Sequence, residues 1–247
     1  MLFREFGNNA CPTVILLHGG GLSWWSFSDI IPLLKAEYHI VIPIIDGHGE
    51  DGKTIFLSIQ DSAQKLIRYI DEELGGNVLA VCGLSLGAQI AVELLSRRPE
   101  IAKFAVVESA LVVPLKGMTQ FMGTTVGLFY GLIRYRWFAK LQSKALYVRS
   151  ELFEEYFADS RKMSKESLSN MIASNAAYVV PDTLSHSRAR VLIIIGSEET
   201  RLMDKSVRKL MSMLPRAQVY IAPGMKHGEL SLAHCTEYLS VIKNFMD

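Results

Sequence analysis

The stretch VLAVCGLSLGAQIAVELL, residues 78–95, sets one serine, Ser85, between two glycines where an apolar run passes into a segment with helical spacing. A serine hydroxyl alone is a poor nucleophile. Chemistry at Ser85 therefore needs a base, an acid to orient that base, and donors for an oxyanion, all supplied from elsewhere in the chain. G-L-S-L-G at 83–87 follows a predicted strand and opens a predicted helix, which is the setting in which G-x-S-x-G holds a nucleophile. A sharp strand-to-helix turn leaves little room beside the serine, and Gly83, Gly87, Ala88 and Ala91 are all small. The helix starting there aims free N–H groups at the hydroxyl, so Leu86 N–H is a candidate oxyanion donor. The competing reading is a glycine-bordered turn with an idle serine.

Outward from this stretch, β-branched runs alternate with segments of period 3.6. TVILL (13–17), HIVIPII (39–45), NVLAV (77–81), KFAVV (103–107), RVLIII (190–195) and QVYIA (218–222) read as strands. Continuous apolar runs of this kind suit strands covered on both faces, as in a mostly parallel sheet. Between them, Ala63, Leu66, Ile67 and Ile70 share one helix face, and Val207, Leu210, Met211 and Leu214 share another. The pattern is βα alternation, which predicts an α/β fold built on a doubly wound, mostly parallel sheet.

The alternation stops near residue 110 and resumes near 190. The intervening segment is rich in Met, Phe, Tyr and Leu, reads as several short helices, and is too apolar for a solvated linker. It is expected to be a helical cap, 111–182, inserted between two strands of a core formed by 1–110 and 183–247. Within it Gly123, Gly127 and Gly131 fall four apart, a spacing that favours close helix packing over a membrane or dimer contact.

Composition narrows the function classes. Of 247 residues, 26 are basic and 25 acidic, so no positive surplus points to nucleic acid. Cys11, Cys82 and Cys235 lie far apart without CxxC spacing, which argues against a disulfide framework or thiolate zinc site and suits a reducing cytoplasmic setting. The opening MLFREFGNN lacks the pattern of a secretory leader. The most lipid-like run, FMGTTVGLFYGLI at 121–133, is shorter than the roughly 20 residues a membrane span requires. HExxH and P-loop spacings are missing, so neither a metal nor a nucleotide cofactor is expected. The expected partner is a small-molecule substrate, and the oligomeric state is left open.

With these motifs in place the sequence resembles the α/β-hydrolase superfamily along nearly its whole length, and in particular its small, lidded single-domain hydrolases. HGGG at 18–21, directly after TVILL, looks like that family's oxyanion loop, and DGHGEDG at 46–52 resembles its D-x-x-G-x-G segment. Glycines after a strand also let backbone N–H groups face a carbonyl oxygen, which makes Gly20 N–H the second candidate donor. A phosphate-loop reading of GGG fails because no Lys-Ser/Thr follows and the fingerprint's last glycine would fall on Trp24.

The resemblance implies the order nucleophile, acid, histidine along the chain. His227, in the loop after IAPG and before an amphipathic terminal helix carrying Leu230, Leu239 and Ile242, is the expected base. His18, His39, His48, His186 and His234 read as structural or solvated. The family's G-x-x-D after the penultimate strand corresponds here to GSEE, which puts Glu199 where Asp is usual. Glu199 is the expected acid, with Asp204, Glu198 and Glu108 as rivals.

The expected reaction is hydrolysis of a small, largely apolar ester through an acyl-enzyme, with Trp24 and Trp25 and the cap shaping the pocket. The same triad could act on another bond, as a C–C hydrolase, a thioesterase or an aminopeptidase. The last would use Glu151, Glu154, Glu155 or Asp159 to anchor an amine. A non-catalytic small-ligand binding protein is the alternative from outside enzymology.

Overall fold

A computed structural model describes residues 1–115 and 130–247. The elements, in chain order, are β1 (Leu2–Phe6), β2 (Thr13–Leu17), α1 (Ile31–Leu34), β3 (His39–Ile44), α2 (Ile59–Glu73), β4 (Val78–Leu84), α3 (Leu86–Arg97) and β5 (Ala102–Glu108). They continue with α4 (Arg136–Ala145), α5 (Phe153–Ser160), α6 (Lys165–Ala177), β6 (Arg190–Gly196), α7 (Arg201–Met213), β7 (Gln218–Ala222), α8 (Glu229–Ala233) and α9 (Cys235–Met246).

The seven strands form one sheet in the order β1-β3-β2-β4-β5-β6-β7, parallel throughout except for β1, which runs antiparallel to β3. β1 is absent from the strands expected from sequence. LFREF holds two charges among five residues and pairs on one side only, so it carries none of the continuous apolar signal of a two-face-buried strand. Its register, Leu2 opposite Ile44 through Phe6 opposite Ile40, covers the flank of β3 and allows all six β3 residues to be buried.

Side-chain alternation along the central strands divides the core in two. Ile15, Leu17, Val41, Val81, Ala105, Val107, Val191 and Ile193 face α2, α3 and α7. Val14, Leu16, Ile40, Ile42, Ala80, Cys82, Phe104, Val106, Leu192 and Ile194 face α1 and the terminal helices α8 and α9. Each fully buried Ile or Leu contributes about 1.5–3 kcal/mol relative to exposure, so a one-residue slip of any central strand would exchange both layers at great cost. α2 begins where Ser58 Oγ accepts the N–H of Asp61, and α6 where Ser164 Oγ accepts that of Ser167. The buried stripe of α7 is Met203, Ser206, Leu210 and Met213, rotated from the predicted face so that Met211 lies exposed. The predicted terminal helix is two helices that break at His234, which ends α8 and precedes α9.

Between β5 and β6 the chain leaves the sheet and, among the described residues, forms α4, α5 and α6 with short 3-10 turns. A third apolar cluster joins this segment to the sheet: Ala139, Phe153, Tyr156 and Phe157 pack on Leu22, Trp25 and Leu84. Gly123 and Gly127, and most of the apolar run at 121–133, lie outside the described residues. No described helix is long and apolar enough to cross a membrane.

Candidate active site

The turn between β4 and α3 has the geometry that its glycines allow. Ser85 takes φ +52° and ψ −110°, a backbone conformation that costs a non-glycine residue about 1–3 kcal/mol. The turn is held from both sides: Ser85 N–H donates to Glu108 O at 2.9 Å, and Ser85 O accepts Gln89 N–H at 3.0 Å. A Cβ on Gly83 would lie 2.4 Å from Gly87 O, and one on Gly87 would lie 2.2 Å from Leu17 O. Both contacts are with backbone, so nothing can swing aside. The close approach lifts the Ser85 side chain above the ends of β2 and β4.

His227 reaches Ser85 from the loop after β7. Its Nε2 is 2.9 Å from Ser85 Oγ, and its Nδ1 is 2.8 Å from Glu199 Oε2. A carboxylate only accepts, so Nδ1–H donates to Glu199 and Nε2 is free to accept the serine O–H. The His227 side chain is 49% exposed while that of Glu199 is 1% exposed, so the imidazole opens toward solvent and the carboxylate does not.

Glu199 lies just beyond β6, and Oε1 is tied down by two further donors, Gly196 N–H at 3.0 Å and Ser109 Oγ–H at 2.6 Å. Burial pushes its carboxyl up, but hydrogen bonds from His227 and Ser109 outweigh burial and hold the group below the usual carboxylate range. Ser109, like Ser85, has positive φ, +54°, and its Oγ also accepts Gly228 N–H at 3.3 Å. Sequence reasoning missed it. The only local signal is a serine directly after a predicted strand, and its two partners come from loops roughly a hundred residues away.

The three rival acids stand elsewhere. Glu198 is exposed and Asp204 faces outward from the first turn of α7. Glu108 is buried at the end of β5, where Oε1 accepts Ser231 N–H at 3.2 Å and Oε2 has no partner among the described residues. Burial pushes its carboxyl up to about 7, opposite to Glu199.

Gly20 sits in the loop after β2, and Leu86 is the first residue of α3, where an N–H has no preceding helical turn to bond. A cavity of about 360 Å³ opens beside Gly20. Its wall is largely apolar, with Leu146, Met163 and Met171 from the segment between β5 and β6, and it carries polar groups at His48, Gln142 and Asp159. Neither Trp24 nor Trp25 is among its lining residues. Trp24 lies under the Arg4 guanidinium, 4.6 Å from its ring centre, and beside Phe6. Trp25 is buried behind the wall, edge-on to Tyr156, with its indole N–H donating to Asp159 Oδ2 at 2.9 Å. A wider cleft, about 850 Å³, lies on the segment's outer face among Arg136, Trp137 and Lys140, and Ser85, His227 and Glu199 are among the lining residues of neither cavity.

The other histidines differ in how they are satisfied. His18 Nδ1–H donates to Gly19 O at 2.9 Å while Nε2 accepts Ile45 N–H at 3.1 Å, and burial lowers its pKa to about 3, so it is a neutral brace between two loops. His39 bridges Thr13 and Glu5. Among the described residues no group of three His, Cys, Asp or Glu is arranged to hold a metal ion, and all three cysteines are free.

Comparison with known proteins agrees with this architecture. The profile of the alpha/beta hydrolase family matches residues 14–239. The chain is 24% identical over 234 residues to the uncharacterized hydrolase YugF of Bacillus subtilis, covering 88% of this chain and 84% of the relative. It is 25% identical over 245 residues to lipase 1 of Psychrobacter immobilis, covering 92% and 74%. Among solved structures, one from a study of carboxylesterases of Nitrososphaera gargenis superposes with a TM-score of 0.79 over 99% of this chain and 93% of the other, at 17% identity, a likeness of fold. With a strand-turn-helix serine at the carboxyl edge of a mostly parallel sheet and a family match over most of its length, the chain belongs to the alpha/beta hydrolase family.

Proposed function

We propose that the protein is a serine hydrolase that cleaves a small, uncharged ester through an acyl-enzyme, with Ser85 as nucleophile, His227 as base and Glu199 as orienting acid. The observation that carries this reading is the hydrogen-bonded line from Ser85 Oγ through the His227 ring to a buried, ionised Glu199. His227 Nε2 takes the serine proton as Oγ attacks the ester carbonyl, and Glu199 stabilises the imidazolium that forms. The oxyanion is held by the N–H groups of Leu86 and Gly20, each worth about 3 kcal/mol when aimed at the developing charge. Collapse expels the alcohol with the proton from His227. Water then attacks the acyl-enzyme by the same route and releases the acid.

Glu in place of Asp fits the local backbone. Glu199 N–H bonds to Gly196 O in a tight turn, so the longer side chain spans to His227 while folding back over Gly196 N–H. The segment 111–182 serves as a cap in this reading, since its residues between Ile133 and Ile172 contribute most of the cavity wall over Gly20. An uncharged substrate is favoured because the wall is mainly Leu, Ile and Met, and because the acid in it, Asp159, is already engaged. Trp25 N–H occupies Oδ2 and the Lys162 ammonium Oδ1 at 2.8 Å, which weighs against an anchor for a substrate amine.

A fluorophosphonate probe tests the reading. Covalent labelling of Ser85, lost in Ser85→Ala and His227→Ala, is the expected result, together with turnover of p-nitrophenyl acetate. A folded protein that neither labels nor turns over any ester in a chain-length panel is a binding protein instead.

A further inference from the structure

Helix α4 ends in a bend that glycine usually occupies. Leu146 caps the helix, and the chain folds back through Tyr147 N–H to Lys144 O at 3.3 Å and Val148 N–H to Ser143 O at 2.8 Å. This pair of bonds requires a left-handed residue at the bend, and Tyr147 supplies it with φ +51°. Among the described residues only Ser85 and Ser109 share a positive φ without being glycine, and both belong to the site already described. A bulky side chain in this conformation costs about 1–3 kcal/mol and persists where its surroundings hold it there. The phenol shows what holds it.

Tyr147 O–H donates to Glu229 Oε2 at 2.8 Å, across 82 positions. The same oxygen accepts Lys226 N–H at 2.9 Å, and Glu229 N–H donates to Lys226 O at 3.2 Å. These two reciprocal bonds close the turn Lys226–Glu229, and His227 is its second residue. The Lys226 N–H, joined by the Tyr147 phenol, holds the Glu229 carboxyl below its ordinary range, so the acceptor is a carboxylate. From the sheet side the turn is anchored by Gly228 N–H on Ser109 Oγ, and just before it Met225 O accepts Glu198 N–H at 2.9 Å. Among the described residues, Tyr147 makes the hydrogen bond that reaches the turn from the segment between β5 and β6. Its neighbour Leu146 lies against the other loop: Leu146 Cδ1 is 3.7 Å from the point a Cβ on Gly21 would occupy. Two consecutive residues thus connect this segment to the loop after β2 and to the loop after β7.

We propose that Tyr147 is a positioning residue: its phenol latches the segment 111–182 to Glu229 and so steadies the turn that presents the His227 imidazole to Ser85. The latch rests on these contacts alone, and its consequence for chemistry rests on the hydrolase reading. Tyr147 makes no hydrogen bond to Ser85, His227 or Glu199 among the described residues, so its effect on the imidazole runs through Glu229. The imidazole must meet Ser85 Oγ and Glu199 Oε2 at once, which leaves little tolerance for a turn that drifts.

The test uses Tyr147→Phe in the full chain, which deletes the O–H and keeps the ring and the backbone. Amide hydrogen exchange across 225–231 should quicken about five- to tenfold, the effect of one hydrogen bond, while peptides from the central strands keep their protection. The kcat for p-nitrophenyl acetate and the rate of fluorophosphonate labelling should fall by about the same factor with KM little changed. Glu229→Ala removes the acceptor, and adding Tyr147→Phe to it should cost nothing more. Unchanged exchange at the turn, an unchanged kcat, a loss confined to KM that grows with acyl length, or losses that multiply in the double variant overturns the proposal. If Glu229→Ala folds poorly, exchange and kcat of Tyr147→Phe decide. An unaltered chain that neither labels nor turns over ester refutes the hydrolase reading and with it the catalytic role, and exchange at the turn then decides the latch by itself.

Discussion

Ser109 Oγ donates to Glu199 Oε1 at 2.6 Å, and the same oxygen accepts Gly228 N–H, one residue beyond His227. A single hydroxyl at the end of β5 therefore ties the acid's carboxylate to the loop that carries the imidazole. On the proposed mechanism its removal would act on chemistry through Glu199. The Glu199 carboxyl is held below its ordinary value, so its contribution to stability is present above the unfolded pKa and is lost as pH falls through the folded one. Without the Ser109 bond the folded pKa rises and that loss begins at higher pH.

Ser109→Ala and Ser109→Gly both delete the hydroxyl, but only glycine suits φ +54°. Both variants should lose about five- to tenfold in kcat/KM at neutral pH, the effect of one hydrogen bond worth about 1 kcal/mol. The acid limb of the pH–kcat/KM profile should move upward in both, with Ser109→Gly the more stable of the two. An acid limb that stays in place in both variants would separate Ser109 from the acid.

Glu199 and Glu108 are two buried carboxyls with opposite environments, and substitution by Gln should separate them. Glu199→Gln removes the charge that steadies imidazolium and should reduce kcat by about a thousandfold or more. Glu108→Gln should leave kcat within a few-fold, because Oε1 can still accept Ser231 N–H. The stability profiles differ as well. The Glu108 carboxyl is raised from 4.5 to about 7, so the folded state binds the proton more tightly and stability declines as pH rises across that window. Glu108→Gln cancels the decline and should be more stable than the parent at pH 8 by about 3 kcal/mol at most, with little difference at pH 4. Denaturant midpoints at both pH values check this, and a variant weaker at pH 8 than at pH 4 relative to the parent would refute it.

The residues that the structure brings together differ in how much sequence alone says about them. Ser85 is legible because its requirement is local: two glycines, a strand before and a helix after, all within 78–95. His227 and Glu199 follow from strand order, since both lie just past the carboxyl ends of strands that the apolar runs mark. Ser109 is not legible, because its role needs a positive φ together with two partners from separate loops. The cavity is the least legible part. Trp25 meets Asp159 across 134 positions, and nothing in an acidic helix distinguishes Asp159, turned inward, from Glu154, paired outside with Arg136. β1 escapes for the reason given by its pairing: an edge strand needs only one apolar flank.

The glycines of the turn should be among the least replaceable residues of the fold. A Cβ on Gly87 collides with Leu17 O and His18 O, and one on Gly83 collides with Gly87 O, contacts of 2.2, 2.7 and 2.4 Å that only backbone movement relieves. Gly87→Ala and Gly83→Ala should each cost more than about 3 kcal/mol, beyond ordinary overpacking, because β2, β4 and α3 must all shift. Gly131→Ala, with no atom of the described residues within 4 Å of its Cβ position, is the control and should change stability little. Thermal melts of the three variants decide, and a melting temperature for Gly87→Ala equal to that of Gly131→Ala would show that the turn is looser than drawn.

Ser85 itself sets function against stability. At φ +52° its backbone is strained, and the strain is held by Glu108 O and Gln89 N–H on either side of the turn. Ser85→Gly should relieve it, abolish ester hydrolysis and raise stability by about 1 kcal/mol, less the bond to His227 that is given up. Ser85→Ala should abolish hydrolysis equally but keep the strain, so the glycine variant should melt at the higher temperature of the two. The comparison isolates the backbone from the hydroxyl, since both variants lose Oγ and only one loses Cβ. If alanine is as stable as glycine here, the elbow carries no strain and the positive φ is simply what the flanking turn prefers.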